Sequence, residues 1–281
     1  MDLPHITTRQ QALLRLLYRH RFLERKQIQT FLHHANKGRS SAWLRDLRAK
    51  QYIDWLYDAD DPIEKNTAAI YYLSINGIRY LRSLGIYPPT ELRKRYAEST
   101  RSRAYVERCL LLANCCLNME ARTAADTNVS YMYSTEADYA NPDNTYHFVA
   151  ESESIHPQLC YTKRQGADNN AVATHSLLEV IDPTLPRYSL KKRLKNYVEF
   201  LDSDEWEDEM EAAGVDLPVV LIACPDKATL IYAKRYTRKL LRDTYGDEID
   251  DTPDDIHIRF ATVERIKKLG ITERIWEEVT V

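Results

Sequence analysis

The sequence predicts an α+β, α/β chain in two parts, an N-terminal winged helix-turn-helix followed by an α/β sandwich. The first sign is the stretch Lys37 to Lys50, KGRSSAWLRDLRAK, which carries an apolar face and a cationic face at helical spacing. Two aromatic and β-branched runs follow it, separated by a polar, acidic turn, as a hairpin requires. The second sign is an alternation of helical and strand-like segments after residue 103. It includes PVVLIAC, a run bounded by Pro218 and Pro225 and apolar enough to be buried on both faces. The third is charge: residues 1–100 hold 17 Lys and Arg against 10 Asp and Glu, a net +7, while the remainder holds 22 against 32, a net −10.

Taken in order, Thr8 and Gln11 have capping-box spacing ahead of LLRLLY, whose Leu13, Leu16 and Leu17 form the apolar face of a first helix. Arg21 to Glu24 is a short link, and Arg25 to His33 a second helix with Ile28, Phe31 and Leu32 at i, i+3 and i+4. Gly38 marks the turn into the third helix, where Trp43, Leu44 and Leu47 pack and Ser41, Arg45 and Arg48 face outward. Tyr52 to Tyr57 and Ala68 to Leu73 are the strands of the wing, with Asp58 to Thr67 as its tip. Ser74 is placed to cap a helix running to Leu84, and Gly85 to stop it. Pro88 and Pro89 end the module, so the domains are expected at 1–87 and 103–281, with 88–102 as a polar, basic linker.

In the body, Arg103 to Arg122 is a long helix, suited to opening the domain or to pairing with a second copy. Thr127 to Tyr133, His156 to Tyr161 and Thr174 to Ile181 are expected strands, the last of them central. Leu190 to Leu201 is an amphipathic basic helix, Asp226 caps another running to about Arg242, and Ile256 to Thr262 is a further strand. Asp202 to Glu211 and Asp247 to Asp255 are acidic inserts, expected as solvated loops or helix ends.

Composition narrows the function classes. At 281 residues and 44% hydrophobic, the chain can build two modest cores. No run approaches about 18 apolar residues, and MDLPHITTRQ lacks the features of a signal peptide, so a soluble cytoplasmic protein with no membrane partner is expected. The five cysteines form no CxxC pair and are expected as buried free thiols. The histidines are scattered, and only His156 and His175 have a chance of meeting across strands.

A basic head on an acidic body suits double-stranded DNA, because phosphate attraction is local and screened within about 10 Å. Arg45 and Arg48 are expected at base edges in the major groove, with Ser40 and Ser41 beside them. Lys37, Arg39, Lys50 and the wing's Lys65 are expected on phosphates. Such readers often bind two half-sites, so a homodimer is expected. An adaptor that binds another protein through the same fold is the competing expectation.

YYLSINGIRYL after the wing, then HPQL, LLEVIDPT, LKKRLKNYVEF and PVVLIAC, together resemble the replication-relaxation family of plasmids and other mobile elements. That resemblance implies a winged helix joined to a restriction-endonuclease-like body, acting with replication or relaxase machinery in replication, DNA transfer or transcriptional control. It also implies a candidate nuclease centre, an Asp on one strand and a Glu-x-Lys or Glu-x-Asp-like pair on the next, holding Mg²⁺. Here Gln158 stands where the family often has Asp, and Glu179 and Asp182 stand for the carboxylate pair, one residue further apart than the pattern. A working site would draw on Glu151 or Glu153 as a further metal donor and on Lys192, or its neighbours Lys191 and Lys195, to orient water. The departures predict an inactive body with no cofactor, a Mg²⁺-dependent endonuclease being the alternative.

Overall fold

The computed structural model describes residues 3–56, 68–166, 172–203, 207–212, 214–246 and 256–279, and divides the chain into two compact units, Met1–Leu117 and Asn118–Val281. The first unit opens with α1 (Thr8–His20), β1 (Leu23–Glu24), α2 (Arg25–Phe31) and α3 (Lys37–Ala49). The N-cap of α1 falls one residue before the predicted position. Thr7 Oγ1 accepts from the Gln10 amide while the Gln10 side chain accepts from the Thr7 amide at 2.9 Å, a reciprocal capping box. Asn36 caps α3, its Oδ1 accepting from the Arg39 amide at 3.1 Å.

After α3 come β2 (Ile53–Leu56), β3 (Ile70–Leu73) and α4 (Ile75–Ser83). β2 and β3 pair antiparallel, with Trp55 opposite Tyr71, and β1 adds to the other edge of β3 to give the order β1-β3-β2. The expected wing tip and Lys65 lie outside the described residues. Leu13, Leu14, Leu17, Ile28, Leu44, Leu47, Ile78 and Leu81 fill the interior. Gly77 is dictated by close approach, since a Cβ there would stand 2.2 Å from the Tyr52 carbonyl oxygen. That carbonyl also accepts the Ser74 amide at 3.0 Å, so α4 is seated directly on the end of α3's return strand.

Residues 88–102, expected as a linker, are α5 (Pro89–Lys94) and a 3-10 helix (Arg95–Thr100), and the first unit continues into α6 (Arg103–Ala125) as far as Leu117. The physical reason is charge cancellation. Glu98 is buried and takes Arg21 at 2.8 and 3.3 Å, with Arg95 and Arg101 each at 3.8 Å. Arg95, itself buried, donates to the Tyr18 carbonyl at 3.0 Å. A run that is polar by composition is therefore internal by pairing. Phe22, Tyr72, Val106 and Cys109 form an apolar cluster beside it.

The second unit contains β4 (Val129–Thr135), α7 (Glu136–Tyr139), α8 (His147–Glu151), β5 (Leu159–Gln165), β6 (Val172–Val180), α9 (Arg187–Leu201) and α10 (Glu207–Ala212). β7 (Val219–Cys224), α11 (Lys227–Tyr245), β8 (Ile258–Thr262), α12 (Val263–Leu269) and β9 (Glu277–Glu278) complete it. The strands form one mixed sheet in sequence order, β4-β5-β6-β7-β8-β9. β5 runs antiparallel to both β4 and β6, β6, β7 and β8 are parallel, and β9 is antiparallel to β8. The central parallel strand β7 is apolar and buried throughout, as burial on both faces demands. α9 and α11 cover one face through Leu190, Leu194, Tyr197, Leu230 and Leu241, packed on Leu177, Val220, Ile222 and Phe260.

The exposed edge of β4 is blunted. The Val129 amide donates to Asp126, the Tyr131 amide to Thr123 Oγ1 at 3.0 Å, and the Thr135 amide to Asp138 at 2.8 Å. All five cysteines are buried and free. His175 lies inside the sheet opposite Thr162, within 3.1 Å of the Tyr146 hydroxyl, whereas His156 is exposed ahead of β5, so the two do not meet.

Candidate nucleic-acid interface

α3 is held by its inner face. Leu44 and Leu47 are buried, Trp43 stacks on His34 at 4.9 Å, and Ser40 is fully buried with its hydroxyl on the Asn36 carbonyl at 3.3 Å. Ser40, expected to touch DNA, therefore belongs to the packing side. Its short side chain lets α3 sit close, and composition marks a serine as polar without saying which face it occupies.

The outer face presents Arg39, Ala42, Arg45 and Ala49 at i, i+3, i+6 and i+10, all exposed. Arg39 and Arg45 have no ion-pair partner among the described residues. The side chain of Lys37 lies outside the described residues. Arg48 is committed elsewhere: its guanidinium lies 3.7 Å over the Trp55 ring and 3.4 Å from Asp54, on β2. Arg25 donates to Ser41 at 3.4 Å, and Arg25 and Arg48 both work against the burial that raises the Tyr71 hydroxyl pKa. Lys50 turns away, to Asp46 at 2.8 Å and the His5 carbonyl at 3.0 Å. Lys50 and Gln10 together hold the Asp46 carboxyl below its ordinary value. Of the expected contacts, Arg39 and Arg45 are free to reach a ligand, Ser41 and Arg48 flank them, and Lys50 is tied down.

The carboxylates of the body do not converge. β6 ends at Val180, so Asp182 lies in the turn beyond it, where its Oδ1 accepts from the Thr184 amide and hydroxyl at 2.8 and 2.6 Å. Glu179 points into the interior, 1% exposed, and is bonded to Arg193 of α9. The buried Tyr197 hydroxyl is pushed well above its ordinary value, first by burial and then by the Glu179 carboxylate. Gln158 fastens β5 to β6: its Nε2 donates to the His156 carbonyl at 2.8 Å and its Oε1 accepts from the Val180 amide at 2.6 Å. An ionised Asp could accept there but not donate, which accounts for the amide.

Glu153 and Lys192 are exposed, Glu151 sits 3.3 Å from His147, and Lys195 pairs with Glu199 at 2.8 Å. Among the described residues no group of three His, Cys, Asp or Glu could hold a metal ion. A cleft of about 240 Å³ opens at the carboxyl ends of β6 and β7, lined by Ile181, Asp182, Arg187, Asp226 and Tyr232, with Glu179 beneath it rather than in its wall.

No protein-family model and no curated protein matches the chain. Among solved structures, the restriction endonuclease FokI is similar at 13% identity and a TM-score of 0.30, over 94% of this chain and 45% of that one. No helix among the described residues is long and apolar enough to cross a membrane.

Sequence reading marked α9 as basic but missed that α11 is basic as well and packs beside it, in the acidic unit. Residues 118–281 hold 19 Lys and Arg against 31 Asp and Glu, yet α9 and α11 alone carry eleven of those cations against two carboxylates, Glu199 and Asp243. The signal was present in KKRLK and KRYTRK, but averaging over the whole unit erased it.

Proposed function

We propose that this chain is a sequence-specific double-stranded DNA-binding protein of a plasmid or other mobile element, acting in replication, DNA transfer or transcriptional control. The observation that carries this reading is the outer face of α3, where Arg39 and Arg45 stand exposed and without carboxylate partners on a helix fixed by Leu44, Leu47 and Ser40. In this reading the first unit is a winged helix and α3 enters the major groove. Arg45 pairs with a guanine edge, Arg39 takes a phosphate, and Arg48, buttressed by Asp54 and Trp55, lines the approach. The second unit is read as a restriction-endonuclease-like body of the replication-relaxation kind, and the assembly as a cytoplasmic homodimer on paired half-sites.

The body is read as non-cleaving, because the charge of Glu179 is met by Arg193 and the position of Gln158 is occupied by a donor-acceptor amide that holds two strands together. The test is retention of fragmented replicon DNA at two salt concentrations, with Mg²⁺ and with EDTA, followed by sequencing. One discrete site with intact ends is expected, and Arg45→Ala is expected to lose about 1–3 kcal/mol of discrimination at one base position. Cut ends that depend on Mg²⁺ would restore the nuclease, and an unchanged site preference in Arg45→Ala would remove α3 from the groove.

A further inference from the structure

We infer that the second unit carries its own polyanion surface, the outer side of α9 and α11, and that its partner is the phosphate backbone of duplex nucleic acid. The two helices follow successive parallel strands, β6 and β7, and pack side by side. Arg187 lies 5.1 Å over the Tyr232 ring and Lys191 lies 5.2 Å over Tyr236, so α9 residues four apart meet α11 residues four apart. That register sets successive cations about 6 Å apart along the pair, from a rise of about 1.5 Å per residue. The tyrosine faces keep the long stems extended while leaving the charged ends at the surface.

Charge complementarity selects the occupant. Arg187, Lys191, Lys192, Lys227 and Arg235 are exposed and have no ion-pair partner among the described residues. Lys195 and Lys239 extend the face but are engaged with Glu199 at 2.8 Å and Asp243 at 3.9 Å. Of the eleven cations on the two helices, Arg193 is taken up by Glu179 and Lys234 by Glu277 at 3.1 Å, and the others, in a unit that is otherwise strongly acidic, make a local field opposite in sign to its surroundings. A regular, extended row of like charges is what the backbone of a duplex matches, and the contact reads no sequence. This face belongs to the other unit from α3, so it adds non-specific affinity rather than site choice.

The test uses the full chain on a mixed-sequence 30-base-pair duplex, with affinity followed from low to moderate salt. Neutralising the face in one variant, Arg187→Gln, Lys191→Gln, Lys192→Gln and Arg235→Gln, is expected to reduce the slope of log affinity against log salt by about 3.6, at about 0.9 for each phosphate no longer neutralised. The variant Lys267→Gln, Lys268→Gln removes two exposed charges from α12 of the same unit and is expected to keep the wild-type slope. An unchanged slope in the fourfold variant overturns the proposal and leaves the face to an acidic protein or to solvent. A proportionate loss in the α12 variant overturns it as well, because net charge alone would then account for the effect. Arg45→Ala in parallel separates the two claims: lost site preference with a wild-type slope supports α3 alone, and retained preference beside a reduced slope in the fourfold variant supports the body face alone.

Discussion

Glu98 of the first unit and Glu179 of the second are both buried, and the two are satisfied differently. Glu98 meets Arg21 through both oxygens, with Arg95 and Arg101 within 3.8 Å, so its charge is surrounded. Glu179 meets one guanidinium, from a residue whose side chain is 34% exposed, and its second oxygen has no hydrogen-bond partner among the described residues. The first arrangement locks a segment into the fold. The second neutralises a carboxylate at the end of a central strand without completing its shell.

Removing Glu98 tests the first half of that contrast and carries the largest expected effect. Glu98→Gln leaves the buried Arg21 without its counter-charge and Arg95 with Glu91 alone, at 3.7 Å, and is expected to cost about 3–5 kcal/mol, read as a shift in the denaturant midpoint of the first unit. A loss below about 1 kcal/mol would mean that Tyr18, Tyr105 and the carbonyls hold the arginines unaided.

A pH titration extends the comparison. His20 is buried, stacked on Phe31 at 4.5 Å, and its pKa is lowered to about 3, first by burial and then by Arg19. The unfolded chain takes up this proton near 6.5, so the first unit's stability is fully present above that value and falls as pH drops from 6.5 toward 3, by about 1.4 kcal/mol per unit. His20→Phe is expected to flatten that slope in thermal melts. His175 of the second unit is also lowered by burial, but Asp216 opposes the shift and the ring is hydrogen-bonded to Tyr146, so the second unit is expected to respond less. Equal acid sensitivity in both units would contradict the assignment to His20.

Arg193→Ala sharpens the other half. It strands Glu179 but opens a path to water, so a cost of about 1–3 kcal/mol is expected, less than for Glu98. The double variant Glu179→Gln, Arg193→Ala is expected to recover part of it, since a neutral amide carries a smaller burial cost. If the double variant is no more stable than Arg193→Ala, the pair is not what holds β6 to α9. The smallest effect is expected at Lys50: with its ammonium on Asp46 and His5, Lys50→Gln should change the salt slope of DNA binding by well under the roughly 0.9 of a full phosphate contact.

Much of the chain is legible as pattern. Periodicity marked α1, α3 and α9, the Asp226 cap marked α11, and the continuous apolar run marked β7, whereas the close approach of Gly77 to the Tyr52 carbonyl emerged only from the fold. Arg45 on the outer face of α3 followed from spacing alone, because a helix exposes residues at fixed offsets from those it buries. What spacing left undetermined were partners. Arg48 has the chemistry of a base contact, and only the fold brings Asp54 and Trp55 within reach of it; Lys50 lies one helical turn from Asp46, and the fold adds the His5 carbonyl.

The same division holds across the whole molecule. The sequence by itself determined where the long helices and the central strands form, which of their faces are apolar and that the chain is cationic at one end and acidic beyond it, since these depend on neighbours a few residues apart. Only the tertiary structure decided that Glu98 and Arg95 are internal, that Glu179 belongs to Arg193, and that the cations of α9 and α11 share one face. Those outcomes depend on electrostatic and packing contacts between residues 14 to 77 positions apart, whose strength is set by burial, and burial is a property of the folded chain.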